Sequence, residues 1–512
     1  MNNPEKPKTM NLKRTMLAAL VAAVLIPGGL WARGKTGNAR IKVDIERQKG
    51  EIDRNIYGNF VEHLGRCIYG GLYEPGSPLS DEKGYRRDVL EATRALRTSL
   101  VRWPGGNFVS GYHWEDGIGP QAGRPTRIDL AWGFRESNAF GTDEFVEWCR
   151  RAATEPYFCV NLGTGTMDEA RNWVEYCNVE KGTYWSDLRR RNGYEKPHKV
   201  KYWALGNEMD GQWQMGHKNA LETAKLMKWI DRDIKLVVAG SSDYNGNWID
   251  WNRTVLEYLK NHADYIALHN YVENRSNDYY KFMATTRFAE KAIRITEGLI
   301  AEAMTKAERK DPIYIAFDEY NVWYRAKGEE GNEEVYNLED ALVVSTFLNI
   351  FVRNAHVVKM ANMAQLVNVI APIFSTKEGS WYQTIFYPLQ LFATHCHGTS
   401  LDTFVDCDTY ALGGERIPYL DVSAAYDSEA GEVVVNVTNR HREQAITTDI
   451  LCQTGRFGGK ATVYEVNGPD IKAENSMTRQ AVKTVTKEAQ ARGDRFTYAF
   501  PAHSFTLIRI PV

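Results

Sequence analysis

The chain has 512 residues, 43% hydrophobic and 25% charged, with a formal net charge of −2. This length suits one large domain plus a smaller one. The near-neutral balance without a long basic stretch disfavours a nucleic-acid or anionic-membrane partner, since phosphate binding needs clustered cations. Aromatic residues make up 12% of the chain, with 14 Trp and 27 Tyr, which reads first as a well-filled core.

In chain order, Lys6, Lys8, Lys13 and Arg14 precede an apolar run from Met16 to Ile26 that Pro27-Gly28-Gly29 breaks. The run is too short to span a membrane, and charge, apolar core and break follow in the order of a secretory signal. Residues 1–32 are therefore expected to be a signal peptide and the protein exported, periplasmic or secreted, with no membrane association after cleavage. An uncleaved anchor is the alternative. The segment 38–55 contains an alternating stretch, Arg40–Glu46, expected to pair with a later β-sandwich.

Between residues 56 and 390 short β-rich runs alternate with helical stretches. The strand candidates are Ile56–Phe60, Ser99–Trp103, Tyr157–Leu162, Lys201–Leu205, Lys235–Gly240, Asp264–Leu268, Ile313–Phe317 and Met363–Val367. Helices are expected in the intervals, including Thr142–Thr154 and Leu338–Ala355. Eight such units predict an α/β fold, a (β/α)8 TIM barrel, with a doubly wound sheet as runner-up. The strand ends favour the barrel. They carry, in order, Glu62, Asn107, Asn161, Asn207 with Glu208, Asp243, His269 with Tyr271, Glu319, and Gln365. Barrels gather a site from many strand ends, whereas a doubly wound sheet concentrates it at one switch point. Residues 391–512 change character to short alternating segments with polar turns, among them Gly431–Thr438, Thr447–Cys452, Ala461–Val466, Arg495–Phe500 and Ser504–Ile510. They predict a C-terminal antiparallel β-sandwich.

Two carboxylates stand out. Glu208 lies in WALGNEMDG (203–211) and Glu319 in IAFDEYNVWY (315–324). At roughly 40 residues per barrel unit their spacing is about three units, which places them on strands four and seven, on facing arcs of the barrel mouth. Glycosidic hydrolysis needs one carboxylic acid to protonate the leaving oxygen and a second carboxylate to attack the anomeric carbon or activate water. An Asn before the acid, here Asn207, suits a bond to the sugar 2-hydroxyl. Other chemistries lack their motifs: there is no HExxH, GxSxG or GxxxxGK, and Gly163-Thr164-Gly165 lacks the third Gly of a dinucleotide fingerprint. Seven cysteines without a CxxC pair and 11 His without ligand spacing predict neither a disulfide framework nor a metal site. No cofactor is expected.

The chain resembles the family-51 glycoside hydrolases, chiefly α-L-arabinofuranosidases. The resemblance rests on IYGNFVEHLGRCIYGG (56–71), VRWPGGNFVSGYHWEDGIGP (101–120), NLGTGTMDEARNWVEYCN (161–178), the two Glu motifs and AQLVNVIAPI (364–373). It implies retaining, exo-acting removal of terminal α-L-arabinofuranosyl groups from plant polysaccharides or oligosaccharides, and a homo-oligomer, often a hexamer. By the same resemblance Glu208 matches the acid/base and Glu319 the nucleophile. Glu62, Asn107 and Asn207 match residues that hold the furanose hydroxyls, Tyr271 a tyrosine supporting the nucleophile, and Gln365 a further sugar contact. Trp132 and Trp323 match pocket walls. Tyr320 departs from the Trp expected beside the nucleophile, which bears on the shape of the pocket. Arg102 either orders the turn at Pro104-Gly105-Gly106 or joins the site. His269 is read as a site residue, with the barrel rim as its alternative, and Trp132 has the core as its own. Two other functions stay open: a β-1,4-glycanase on the same barrel, and a carbohydrate-binding protein that has lost catalysis.

Overall fold

Eight parallel strands close into a barrel: β1 (Gly58–Phe60), β2 (Leu100–Trp103), β3 (Glu155–Val160), β4 (Tyr202–Leu205), β5 (Lys235–Val238), β6 (Tyr265–Val272), β7 (Tyr314–Val322) and β8 (Val358–Ala364). The computed structural model describes residues 38–211, 219–326 and 332–512; the expected leader at 1–32 lies outside them. Side chains alternate as the strand period of two requires. Tyr157, Cys159, Tyr202, Ala204 and Val237 fill the lumen, while Phe158, Val160, Trp203, Leu205 and Leu236 meet the surrounding helices. Both faces of each strand are thus buried, which explains why the sequence reads there as apolar runs rather than clean alternation.

Two features differ from expectation. The eighth strand was expected at Met363–Val367 but runs over Val358–Ala364, because KMANM pairs in register with both neighbours despite its weak β propensity. Strands β6 and β7 extend past their expected ends, so His269, Tyr271 and Glu319 lie inside strands rather than after them. Strand β7 also carries one extra residue. Ala267 faces Ala316 and His269 faces Glu319 on one side, and Phe317 faces Ala361 and Tyr320 faces Met363 on the other. This bulge lets the consecutive residues Asp318 and Glu319 both reach toward the lumen, which a regular strand forbids.

The C-terminal region forms an 11-stranded sheet that curls over one core. Its pairs are antiparallel except that Ala39–Val43 runs parallel to Ile446–Cys452, a departure from the purely antiparallel expectation. The next strand in sequence, Gln48–Glu51, sits at the opposite end of the sheet, against Thr399–Leu401. A connection as short as Asp44–Arg47 therefore brings the two ends together, and Ile41 and Ile450 pack in the same cluster as Val435 and Ile508. The helix Leu338–Arg353 is buried all round between barrel and sheet, its few polar side chains included. Its N-terminus is fixed by a capping box of Asn337 and Asp340. Ser345 bonds Thr438 (2.7 Å), Asn349 bonds Ser423 (2.7 Å), and Phe347 packs on Phe317 of β7.

Candidate active site

At the C-terminal ends of the strands a cavity of about 60 Å³ is lined by Glu62, Asn107, Trp132, Asn207, Glu208, Tyr271, Glu319, Trp323 and Gln365, together with Gly106, Asn332 and Ile370. A water occupies roughly 10–15 Å³ on this measure, so the space matches a few water positions, the scale of one small sugar ring. A larger cavity of about 740 Å³ lies at the other end, near the starts of β1 and β2. No carboxylate lines it, and hydrolytic chemistry has no purchase there.

The nucleophile candidate Glu319 is 4% exposed. Its Oε1 accepts from Arg102 Nη1 at 2.7 Å and its Oε2 from Tyr271 Oη at 2.8 Å. Arg102 lies behind the cavity wall, over the Phe60 ring at 4.8 Å. Its second terminal nitrogen donates to Asn207 Oδ1, and its Nε faces Asp318 Oδ2 at 3.5 Å. One guanidinium thus fixes residues from β4 and β7 at once, a use of its planar fork that lysine could not reproduce. The Arg102 side chain contacts Glu319, Asn207 and Asp318 from behind the cavity lining.

Glu208 follows the turn Gly206-Asn207 and has φ 49°, an uncommon conformation for a residue with a Cβ that marks a constrained position. Its Oε1 lies 2.9 Å from His269 Nδ1. His269 lies behind the cavity lining, 4% exposed, with Nε2 at 3.1 Å from Asp318 Oδ1 and Nδ1 at 3.5 Å from Glu319 Oε2. Burial alone would push the imidazole down; the surrounding carboxylates of Glu319, Asp318 and Glu208 outweigh it and hold His269 well above its ordinary range. Burial likewise pushes Asp318 up, but Arg102, His269 and the Tyr157 hydroxyl together hold it below the usual carboxylate range. Glu319 moves the other way: burial and the like charge of Glu208 raise it against the pull of His269 and Arg102. Arg102 therefore has one partner lowered and one raised, because Asp318 faces cations while Glu319 also faces a second acid.

Glu62 forms the opposite wall. It accepts from the Phe108 amide (3.0 Å), Trp132 Nε1 (3.1 Å) and Gln365 Nε2 (3.3 Å). Burial nevertheless pushes its carboxyl up to about 8. Gly105 and Gly106 pack directly against it: a Cβ on Gly105 would lie 2.6 Å from Glu62 Cγ. Asn207 Nδ2 reaches Asn107 Oδ1 at 3.4 Å, and Trp323 meets Tyr271 edge-on with ring centres 5.4 Å apart.

An oxygen of Glu208, an oxygen of Glu319 and a ring nitrogen of His269 all lie within 4.8 Å of one another. They are poorly suited to a cation, because both His269 ring nitrogens already face carboxylates and neither is turned toward a further ligand. Of the expected strand-end residues, Asn161 and Asp243 stay outside the cavity, bonding their own loops at Gly163 and Asn245. Tyr320 also does not line it; its ring packs on Phe347 and Phe351 in the core, so the departure there leaves the pocket wall untouched. Sequence reasoning missed Asn332, Ile370 and Asp318. The last stood in view beside Glu319, but strand alternation predicts that it points outward, and no sequence signal shows the bulge.

Two family models match the chain: an α-L-arabinofuranosidase 1 domain over residues 92–291 and an α-L-arabinofuranosidase C-terminal domain over 318–504. The chain is 40% identical over 494 residues to an intracellular exo-α-(1→5)-L-arabinofuranosidase 1 of Bacillus subtilis, covering 92% of this chain and 99% of that one. It is 39% identical over 498 residues to an intracellular exo-α-(1→5)-L-arabinofuranosidase of Halalkalibacterium halodurans, covering 93% and 99%. Among solved structures, the arabinose complex of the Thermotoga maritima α-L-arabinofuranosidase superposes with a TM-score of 0.86 at 38% identity, over 93% of this chain and all of that one. Both bacterial relatives are named intracellular, which overturns the expectation of export read from residues 1–32.

Proposed function

The chain belongs to the α-L-arabinofuranosidases of glycoside hydrolase family 51, and on that premise we propose how its residues divide the hydrolysis of terminal non-reducing α-L-arabinofuranosyl groups. Glu319 attacks the anomeric carbon while Glu208 protonates the departing oxygen. Glu208 then takes a proton from water, which opens the glycosyl-enzyme with retained configuration. The observation that carries this reading is the approach of Glu208 and Glu319 oxygens to within 4.8 Å. Retaining enzymes hold their carboxyl groups about 5 Å apart, whereas inverting enzymes need about 6.5–9.5 Å to admit a water.

The charges support the same division. With the proton on Glu208, the cations Arg102 and His269 balance the anions Asp318 and Glu319, and the buried cluster is neutral. Arg102 and Tyr271 steady Glu319 along its line of attack. Asn207, clamped by Arg102, faces the sugar 2-hydroxyl, and Glu62, Asn107 and Gln365 take the remaining hydroxyls while Trp132 and Trp323 wall the ring. A cavity for one ring supports exo action on arabinose-containing polysaccharides or oligosaccharides over a glycanase cleft. The two placed carboxylates argue against a binding protein without catalysis. The enzyme acts as a homo-oligomer, as the family resemblance implies.

The test is a panel of aryl glycosides with wild type and Glu208→Ala. The α-L-arabinofuranoside is expected to exceed β-xyloside, β-glucoside and α-L-arabinopyranoside by several powers of ten, since a site of buried hydrogen bonds rejects the wrong ring. Azide is expected to restore Glu208→Ala and yield the α-arabinosyl azide. A β azide would exchange the two roles, and higher turnover of the β-xyloside would promote the glycanase.

A further inference from the structure

We propose that Asp318 is a positioning residue that keeps His269 a donor through both ring nitrogens, so that the proton on Glu208 leaves only toward the substrate. This rests on the reading of Glu208 as the acid. Asp318 is 1% exposed and does not line the cavity, so it acts on the sugar only through another side chain.

Its placement comes from the extra residue in β7. A regular strand would send Asp318 outward to the helices when Glu319 faces the lumen; the bulge turns both inward. The buried carboxylate is then held on each oxygen. Oδ1 meets His269 Nε2 at 3.1 Å, and Oδ2 accepts from Tyr157 Oη at 2.9 Å and faces Arg102 Nε at 3.5 Å. These contacts fix the plane of the imidazole and oblige Nε2 to carry hydrogen.

The other ring nitrogen decides the consequence. Nδ1 lies 2.9 Å from Glu208 Oε1 and 3.5 Å from Glu319 Oε2. A neutral imidazole with its hydrogen on Nε2 would present a lone pair to Glu208 and draw the acidic proton inward, away from the leaving oxygen. With Asp318 as counter-ion the ring keeps a hydrogen on Nδ1 as well. Oε1 of Glu208 must then accept, and the transferable proton is confined to Oε2. The same Nδ1–H remains available when Glu208 returns as base, so the device serves both halves of the reaction. A carboxylate behind a histidine sets which protonation form is presented at the far nitrogen, and here the far nitrogen faces the acid rather than the substrate.

The experiment uses the full chain with Asp318→Asn, which keeps the size but removes the charge and one of the two acceptor oxygens, and Tyr157→Phe, which loosens Asp318 without touching His269. kcat/KM is measured over aryl α-L-arabinofuranosides whose phenols differ in acidity. General acid catalysis contributes about 10²–10⁴-fold, so Asp318→Asn is expected to lose roughly 10²-fold on the poorest leaving groups and under about 5-fold on the dinitrophenyl glycoside. Tyr157→Phe should lose in the same order but less. Nitrogen-15 spectra should show both His269 nitrogens protonated in the wild type and a single one in Asp318→Asn. Equal loss across the series, or an unchanged His269 spectrum, would overturn the inference and leave Asp318 a packing residue. Glu208→Ala runs alongside. If it shows no leaving-group dependence, the acid assignment falls; if it does while Asp318→Asn does not, the present inference alone falls.

Discussion

Replacing Arg102 with methionine tests whether the charge cluster or the turn behind it explains that residue. The guanidinium faces Glu319 at 2.7 Å and Asp318 at 3.5 Å, which at an effective dielectric of 20 corresponds to gross attractions of about 6 and about 5 kcal/mol. Burying the guanidinium offsets much of this, but Met leaves two buried anions facing one cation. Breaking such a pair by removing one partner costs about 3–5 kcal/mol. The pH dependence follows from Asp318, whose pKa is lowered in the folded wild type by Arg102, His269 and Tyr157. A depressed carboxylate contributes stability above its unfolded value, near 4, and loses it as pH falls through the folded value. Without Arg102 that contribution disappears and the anions take up protons, so the deficit is largest at neutral pH and narrows on acidification. One extra proton bound by the folded variant changes stability by about 1.36 kcal/mol per pH unit, or up to about 2.7 kcal/mol between pH 7 and 5. Urea unfolding at the two pH values, followed by tryptophan fluorescence, measures both quantities. A deficit under about 1 kcal/mol, or one that ignores pH, would refute the charge argument and return Arg102 to ordering the Pro104-Gly105-Gly106 turn.

Two further substitutions probe the frame of the site. Gly105→Ala should cost roughly 10²-fold in kcat/KM with the circular dichroism unchanged, because its methyl would displace Glu62 and small misplacements of a positioning group carry losses of that order; full activity would mean that Glu62 is not held by this contact. Deleting residues 391–512 should give insoluble protein, since it cuts the helix Phe386–His395 and uncovers Leu338–Arg353; a soluble, fully active truncate would show the sheet domain to be dispensable.

The barrel was legible because most of its strands begin as short apolar runs with a polar residue close behind, a pattern that survives without knowledge of the pairing. Glu208 and Glu319 were legible for the same reason, with spacing that fixes facing strands. What stayed hidden depends on register. The extra residue in β7 leaves no mark in composition, so Asp318 read as an outward neighbour of Glu319. The displacement of β8 has a related cause: KMANM lacks the β-branched residues that announce a strand, and its place comes from pairing with β7 and β1. Asn332 and Ile370 come from loops after strands and reach the cavity through tertiary packing alone. The leader reading failed differently: its charge and apolar pattern stand in the sequence, but a local pattern does not determine the compartment.

The parallel pairing of Ala39–Val43 with Ile446–Cys452 orders events during synthesis. The strand emerges from the ribosome first among the described elements, yet its two partners, Phe404–Asp406 and Ile446–Cys452, follow about 360 and about 400 residues later. At about 5–20 residues per second, that is an interval of roughly 20–80 s. Until Phe404–Asp406 is made, Ile41 and Val43, both fully buried at the end, have no strand to pair with, while the barrel strands already have their own neighbours. The nascent chain therefore passes through a stage with all eight barrel strands made, the helix Leu338–Arg353 still uncovered and an unpaired β-strand at its head, the stage at which a holding chaperone would matter most.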